Sequence, residues 1–256
     1  MSKFSKLVEI MEILRAEDGC PWDIAQDLTT LRQYLIEESY EVLEMIDRED
    51  YRGLKEELGD LMFEIIFISK IASDMGKFSI DDVIEEILDK MIRRHPHVFG
   101  STKADTPEQV SSNWRKIKIN QENRKYDSAL GGLPKTLPAL FMAHKLTRQA
   151  ARVNFDWDNI EAILEKLQEE IEEFKLAHEG GNREEIEAEI GDILFAGANI
   201  ARFLNINPEI ALINANRRFV KRFQYIEKRL IEQKKDIETT PLDVMEALWE
   251  EAKNTI

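Results

Sequence analysis

Glu37-Glu38-Ser39-Tyr40-Glu41, with Glu57-Leu58-Gly59-Asp60 beginning sixteen residues beyond Glu41, decides the fold, because the chain contains the pattern twice. A shift of 132 positions lands on Glu169-Glu170-Ile171-Glu172-Glu173 and on Glu189-Ile190-Gly191-Asp192, with the acids and the glycine in register. Residues three apart share a face of a helix, so Glu38 and Glu41 project together, with Tyr34 and Met45 beside them. The helix entered through Glu57 and Asp60 is oilier. Leu61 to Ile68 carries one charge, Glu64, among seven apolar residues, and its copy, Ile193 to Ala201, carries none. A helix that is apolar all round is buried, so Asp60 and Asp192 are expected to be drawn inward with it. An unpaired buried carboxylate is costly or takes up a proton instead. Hard divalent cations prefer oxygen ligands, which makes one the natural partner for converging acids. The expected site in each half is a carboxylate cage for Mg2+, with Mn2+ as an alternative, built between two helices.

Composition sets the frame around that site. At 256 residues the chain is long enough for one large or two ordinary domains, and the repeat favours two. With 43% hydrophobic and 33% charged residues, the balance supports a packed core in a soluble protein. A formal charge of -15 argues against nucleic acid as a partner, since no excess of Lys and Arg exists to release counterions. A small anionic substrate remains open, provided that metal and local basic groups neutralise it. The lone Cys20 cannot form an internal disulfide, which fits a reducing cytosol. The first twenty residues have charges throughout and no signal-peptide core. No run approaches the roughly 18 apolar residues that span a bilayer, so the expectation is a cytoplasmic protein without membrane contact.

Nearly every segment reads as helix, and no alternating strand pattern stands out. Periodicity and start signals predict helices at about 3–16, 29–48, 51–74, 79–94 and 107–122, then 138–153, 158–179, 182–204, 208–234 and 241–254. Thr30, Thr106, Asp158, Asn207 and Thr240 stand where capping side chains belong. Between the halves, Gly131-Gly132-Leu133-Pro134 and Pro138 work against helix continuation. The expected domains are therefore 1–124 and 139–256, with 125–138 as linker.

The repeat extends beyond the acids. At a shift of 135, Trp22-Asp23 matches Trp157-Asp158 and Trp114 matches Trp249, with Lys118 and Lys253 each four residues beyond the later tryptophans. Arg93-Arg94 recurs as Arg217-Arg218 at a shift of 124, with Arg222 one turn on. Changing shifts imply loops of different length in two copies of one fold. Some of these arginines are accounted for as helix C-terminal charges. A phosphate beside a carboxylate cage nevertheless needs opposing cations, and guanidinium groups hold phosphate bidentately. Trp114 and Trp249 read first as core residues, with nucleotide contact as the alternative. His95 and His97 read as surface residues, because no Glu-x-x-His pair supplies the nitrogen ligands of a ferritin-like di-iron site. Glu56, Glu64, Glu172, Glu184 and Glu185 read as surface charge, and Gly59 and Gly191 as points of close helix approach.

At these residues the chain resembles the MazG family of nucleoside triphosphate pyrophosphohydrolases, in the all-α superfamily that also contains the dimeric dUTPases. The resemblance is carried by Glu-Glu-x-x-Glu followed by Glu-x-x-Asp in both halves. Cys20-Pro21-Trp22-Asp23, Arg94-His95-Pro96-His97-Val98-Phe99 and Trp249-Glu250-Glu251-Ala252-Lys253 extend it over nearly the whole chain. It implies an all-α protein of two tandem helical-bundle domains, a homodimer that hydrolyses nucleoside triphosphates to monophosphate and pyrophosphate with Mg2+. Carried over by position, Glu38, Glu41, Glu57 and Asp60 are the metal ligands of the first half, and Glu170, Glu173, Glu189 and Asp192 those of the second. One of Glu37, Glu38, Glu41 or of Glu169, Glu170, Glu173 orients or deprotonates the attacking water. Arg93, Arg94, Trp114, Lys118, Arg217, Arg218, Arg222, Trp249 and Lys253 are the candidate substrate contacts, although Val98 stands where the first half should match Arg222. The rivals are a narrower dUTP or modified-nucleotide hydrolase, an inorganic pyrophosphatase, and a non-catalytic helical interaction module.

Overall fold

The structure is a computed structural model that describes residues 2–120 and 128–255. Among the described residues every regular element is helical, so the fold is all-α. The chain divides into two compact units, Met1–Arg124 and Lys125–Ile256. The first contains α1 (Lys3–Leu14), α2 (Pro21–Ala25), α3 (Leu31–Asp47), α4 (Tyr51–Asp74), α5 (Ile80–Arg94), α6 (Pro96–Phe99) and α7 (Pro107–Asn120). The second contains α8 (Ala139–Ala151), α9 (Ile160–Gly180), α10 (Arg183–Phe203), α11 (Pro208–Glu232) and α12 (Leu242–Thr255). The short α2 and α6 lie outside the expected helices. Each is a single proline-started turn, too brief to show a period.

Each unit is organised around one helical hairpin, α3–α4 in the first and α9–α10 in the second. The two hairpins turn by the same device with different residues. Glu49 takes a left-handed φ of 54° and Asp50 then caps α4, its carboxylate accepting from the backbone N–H of Arg52 and Gly53. At the matching positions Gly181 has φ 71° and Asn182 caps α10 by accepting from Glu184 N–H. A tight turn joining two amphipathic helices lays them antiparallel. The repeated acids, one set on each arm, are thereby brought face to face.

Packing secures the first hairpin from one side. Leu31 of α3, Ile66, Phe67 and Ile71 of α4 and Met11 of α1 form the core, and Phe67 is only 1% exposed. Burying a side chain of this size contributes about 1.5–3 kcal/mol. In the second unit α8 packs on α10, and α11 pairs with α12 around Ile226, Leu230 and Leu248. The buried face of α10 uses small residues, Ala196 and Ala198, where α4 uses Glu64 and Ile66.

Several sequence expectations are corrected. Neither α4 nor α10 is buried all round: Leu58, Met62 and Ile65 are exposed, as are Ile190, Leu194 and Phe195. Asp60 and Asp192, on the uncovered side, are exposed rather than drawn inward. Hydrophobicity shows that a face needs covering but not that the same chain covers it. Gly59 and Gly191 are not points of close approach, since a Cβ at either would meet nothing within 4 Å. Thr30 does not cap α3 through its side chain; the turn before α3 is held instead by Asp27, accepting from Thr29 N–H at 2.7 Å and Thr30 N–H at 2.8 Å. Asn159, one residue beyond the expected Asp158, caps α9.

If the hairpin caps carry the stated weight, Asp50→Ala and Asn182→Ala will each lower stability by about 1 kcal/mol. A urea titration of each variant against wild type, followed by far-ultraviolet circular dichroism, measures the loss.

Candidate active site

The hairpins bring three of the four expected ligands together in each unit. One carboxylate oxygen each from Glu38, Glu41 and Glu57 lies within 4.8 Å of the other two, and the same holds for Glu170, Glu173 and Glu189. Asp60 and Asp192 lie outside those sets. Asp60 is still close enough for its charge to act on Glu38 and Glu57, and Asp192 lines a cavity together with Glu170.

Crowding like charges has a visible cost. Desolvation, and after it the charges of Glu41, Asp60, Glu57 and Glu64, push the Glu38 carboxyl above the usual range. Glu57 is raised by desolvation and then by Glu41 and Asp60. Glu173 is raised by desolvation and by Glu170 and Glu189, against the opposing effect of Lys166. Buried Oε2 atoms of Glu38 and Glu189 have no hydrogen-bond partner among the described residues. Unpartnered, mutually repelling oxygen donors on two rigid helices fit a hard divalent cation.

Glu64 overturns its reading as surface charge. It is buried, desolvation pushes its carboxyl up, and its Oε2 also lacks a partner among the described residues. Glu56, Glu172, Glu184 and Glu185 are exposed, as expected.

The second unit carries a counter-ion that sequence reading missed. The Lys166 ammonium lies 2.8 Å from Glu169 and 2.8 Å from Glu170, which is only 7% exposed, and these bonds raise its pKa. Tyr34 holds the matching place in the first unit and packs edge-on to Trp22 at 5.6 Å. The acids alone therefore look alike in the two copies, while their charge balance differs.

The space beside the acids differs too. In the second unit a cavity of about 570 Å³ runs from Glu170, Asp192 and Lys166 into walls that include Leu146, Ile163 and Phe195. Asn199, Arg202 and Asp156 line its polar side. The equivalent α4 positions hold bulk: Glu64 stands for Ala196 and core-packed Phe67 for Asn199.

The candidate substrate contacts form separate groups. On α11 and α12, the Arg222 guanidinium sits 5.6 Å from the Trp249 ring centroid and Phe219 packs at 5.2 Å from the same ring. Lys253 pairs with Glu250 at 2.6 Å, Arg218 is exposed and Arg217 half-buried. None of these residues lines the cavity. In the first unit Arg93 and Arg94 end α5, and Trp114 meets His95 edge-on at 5.1 Å. His95 and His97 are half-buried rather than surface residues, and the side chain of Lys118 lies outside the described residues.

Two helical hairpins in one chain, each presenting converging carboxylates on facing helices, define a tandem all-α protein with one acid cluster in each half. The MazG nucleotide pyrophosphohydrolase domain matches residues 26–99 and again 158–229, and the chain belongs to that family. It is 42% identical over 98% of its length to a nucleoside triphosphate pyrophosphohydrolase/pyrophosphatase, MazG, of Thermotoga maritima, covering 95% of that protein. A nucleoside triphosphate pyrophosphohydrolase of Escherichia coli K12 is 38% identical, with 99% of this chain and 98% of that protein covered. An uncharacterized Bacillus subtilis protein, YabN, is 45% identical over 99% of this chain, which spans 52% of that protein.

The raised carboxyls set a pH signature. Groups whose folded pKa lies above the unfolded value bind more protons when folded, so they favour the fold below the ordinary carboxylate range. That contribution is lost as pH rises through the raised values of Glu38, Glu57, Glu64 and Glu173. A cation held by these acids competes with protons. Mg2+ is therefore expected to raise the melting temperature more at pH 8 than at pH 5, with stabilisation of about 2.7 kcal/mol at 100 times its dissociation constant. Thermal melts at both pH values, with and without Mg2+, measure the difference.

Proposed function

We propose that the protein hydrolyses nucleoside and deoxynucleoside triphosphates between the α and β phosphates, releasing a monophosphate and pyrophosphate, and that the second unit performs the reaction. The observation that carries this reading is the cavity that shares Glu170 with the acid cluster and has Asp192 in its lining as well. An apolar recess with a few polar groups at its edge suits a nucleoside, and the acids at its mouth suit the phosphates through a cation. The relatives named nucleoside triphosphate pyrophosphohydrolases, similar over almost the whole chain, support the same chemistry.

Glu170, Glu173, Glu189 and Asp192 would hold Mg2+, or Mn2+ in its place. Bound there, the ion offsets the negative charge of the triphosphate. A carboxylate of the Glu169, Glu170 and Glu173 set takes a proton from a water that attacks the α phosphorus in line. The bond from that phosphorus to the bridging oxygen breaks, and pyrophosphate leaves with the electron pair. Arg218, Arg222 and Lys253, which stand outside the cavity lining, are assigned the positive charge for the departing group on the family resemblance alone. Lys166 pairs with Glu170 at 2.8 Å and places a positive charge beside the acids.

The reading includes a homodimer in the cytosol. Exposed Leu58, Met62 and Ile65, and their counterparts Ile190 and Leu194, form an apolar stripe beside the acids in each unit, which a second copy can cover. No helix among the described residues is long and apolar enough to cross a membrane. A second reading, hydrolysis of inorganic pyrophosphate, is favoured for the first unit. It keeps the acid cluster but fills the nucleoside-sized space with Phe67 and Glu64.

Glu173→Gln should lower nucleoside triphosphate turnover at least about a hundredfold, on the order of the loss when a group acting in the transition state is removed. Glu41→Gln should leave most of that turnover in place. Chromatographic identification of monophosphate and pyrophosphate checks the bond cleaved. Undiminished Mg2+-dependent turnover in a molecule carrying both substitutions would overturn the assignment.

A further inference from the structure

The polar side of the second unit's cavity is more ordered than a general recess requires. Asn199 lines it at 9% exposure, and its side-chain oxygen accepts from Arg202 Nε at 3.0 Å and Nη2 at 2.8 Å. Guanidinium groups only donate, so the amide cannot be turned round without placing –NH2 against N–H. Arg202 is fixed in turn by Asp156, Nη1 to Oδ2 at 2.7 Å and Nη2 to Oδ1 at 2.5 Å. This fork-to-fork pair is the geometry that best sets a guanidinium in one plane. The oxygen of Asn199 is thereby spent, while its –NH2 has no hydrogen-bond partner among the described residues.

We propose that Asn199, locked by the Asp156–Arg202 pair, reads the nucleobase, its –NH2 donating to a ring nitrogen or carbonyl oxygen on the base edge. The proposal rests on the nucleotide reading above and adds the residue that recognises the base. Every common base offers such an acceptor, so a donor of fixed polarity tells a base from a ring of the same shape without one. It does not select a single base. Asp156 and Arg202 are positioning residues, acting through the amide they orient. The first unit has no equivalent: Phe67 stands at the position of Asn199, Lys70 at that of Arg202, and Arg15 lies over the Phe67 ring at 5.5 Å.

The test compares dTTP with the triphosphate of its difluorotoluene isostere, which keeps the ring shape, sugar and phosphates but is a poor acceptor. The readout is the ratio of kcat/KM for the two, taken on one preparation of the full chain, so that a partly unfolded sample scales both rates alike. Wild type is expected to prefer dTTP about tenfold or more, the effect of leaving one buried donor unpaired. Asn199→Leu should bring the ratio to about one, mainly through KM. Asp156→Asn should lower it partway, and decides the matter by the same ratio should Asn199→Leu lose all turnover. Equal rates in wild type, or a preference that survives the substitutions, overturns the proposal and leaves the hydrolase reading standing. Failure of wild type to release pyrophosphate from either compound overturns that reading, and this proposal with it.

Discussion

Repulsion between carboxylates held on two facing helices is the constraint from which the rest of each unit follows. Three such groups lie within 4.8 Å here because they are carried on two packed helices rather than on a loop free to let them move apart. The hairpin prevents that by combining a left-handed residue, a capping side chain and a packed far side. Its stability is therefore set against its own active face. Raised carboxyls at Glu38, Glu57 and Glu173 reflect desolvation first and that opposition after it. A cation, a proton or a lysine can each relieve it, and the chain provides for more than one of these.

The two copies relieve it differently. In the second unit Lys166 neutralises Glu169 and Glu170, and the alanines of α10 leave room beside them. In the first, no lysine stands at that position; burial and like charge raise Glu38, buried Glu64 adds another acid, and aromatic bulk closes the space. The acid clusters are the shared part of the duplication, and the divergence around them is both steric and electrostatic. The inner face of α10 thus sets the space beside the acids in the second unit, while the acid clusters themselves are common to both.

The helices and the register of the acids were legible because both depend on local rules: helical spacing, turn residues and an internal copy to compare against. What escaped depends on which surface meets which. Asp60 and Asp192 were expected inside because their helices are oily, yet those helices bury one apolar face and leave another uncovered, and both aspartates are exposed. Glu64 was set aside as surface charge for want of a repeated partner, although a lone acid in an apolar run is the arrangement that burial makes conspicuous. Asn199 was overlooked because the run from Ile193 to Ala201 was read for charge alone. Lys166, Asn199 and Arg202 could have been found by asking where the copies disagree within matching helices, at Tyr34, Phe67 and Lys70. Asp156 precedes the repeated Trp157-Asp158, and only the fold shows its pairing with Arg202 across the unit.

The uncovered stripe bears on the chemistry as well as on assembly. Met62 is 47% exposed and its counterpart Leu194 55%, each two residues beyond the aspartate and five beyond the glutamate of its own helix. Water free to enter along that face would screen the carboxylates and weaken their hold on a cation, since electrostatic attraction falls with local dielectric. Covering the stripe with a second copy would exclude that water and strengthen every charge interaction at the mouth of the cavity. The same surface would then serve two ends, joining the protomers and drying the site. That would give a physical reason for exposed apolar residues near the acids of both halves, since a cluster of like charges would hold an ion better against a low-dielectric neighbour.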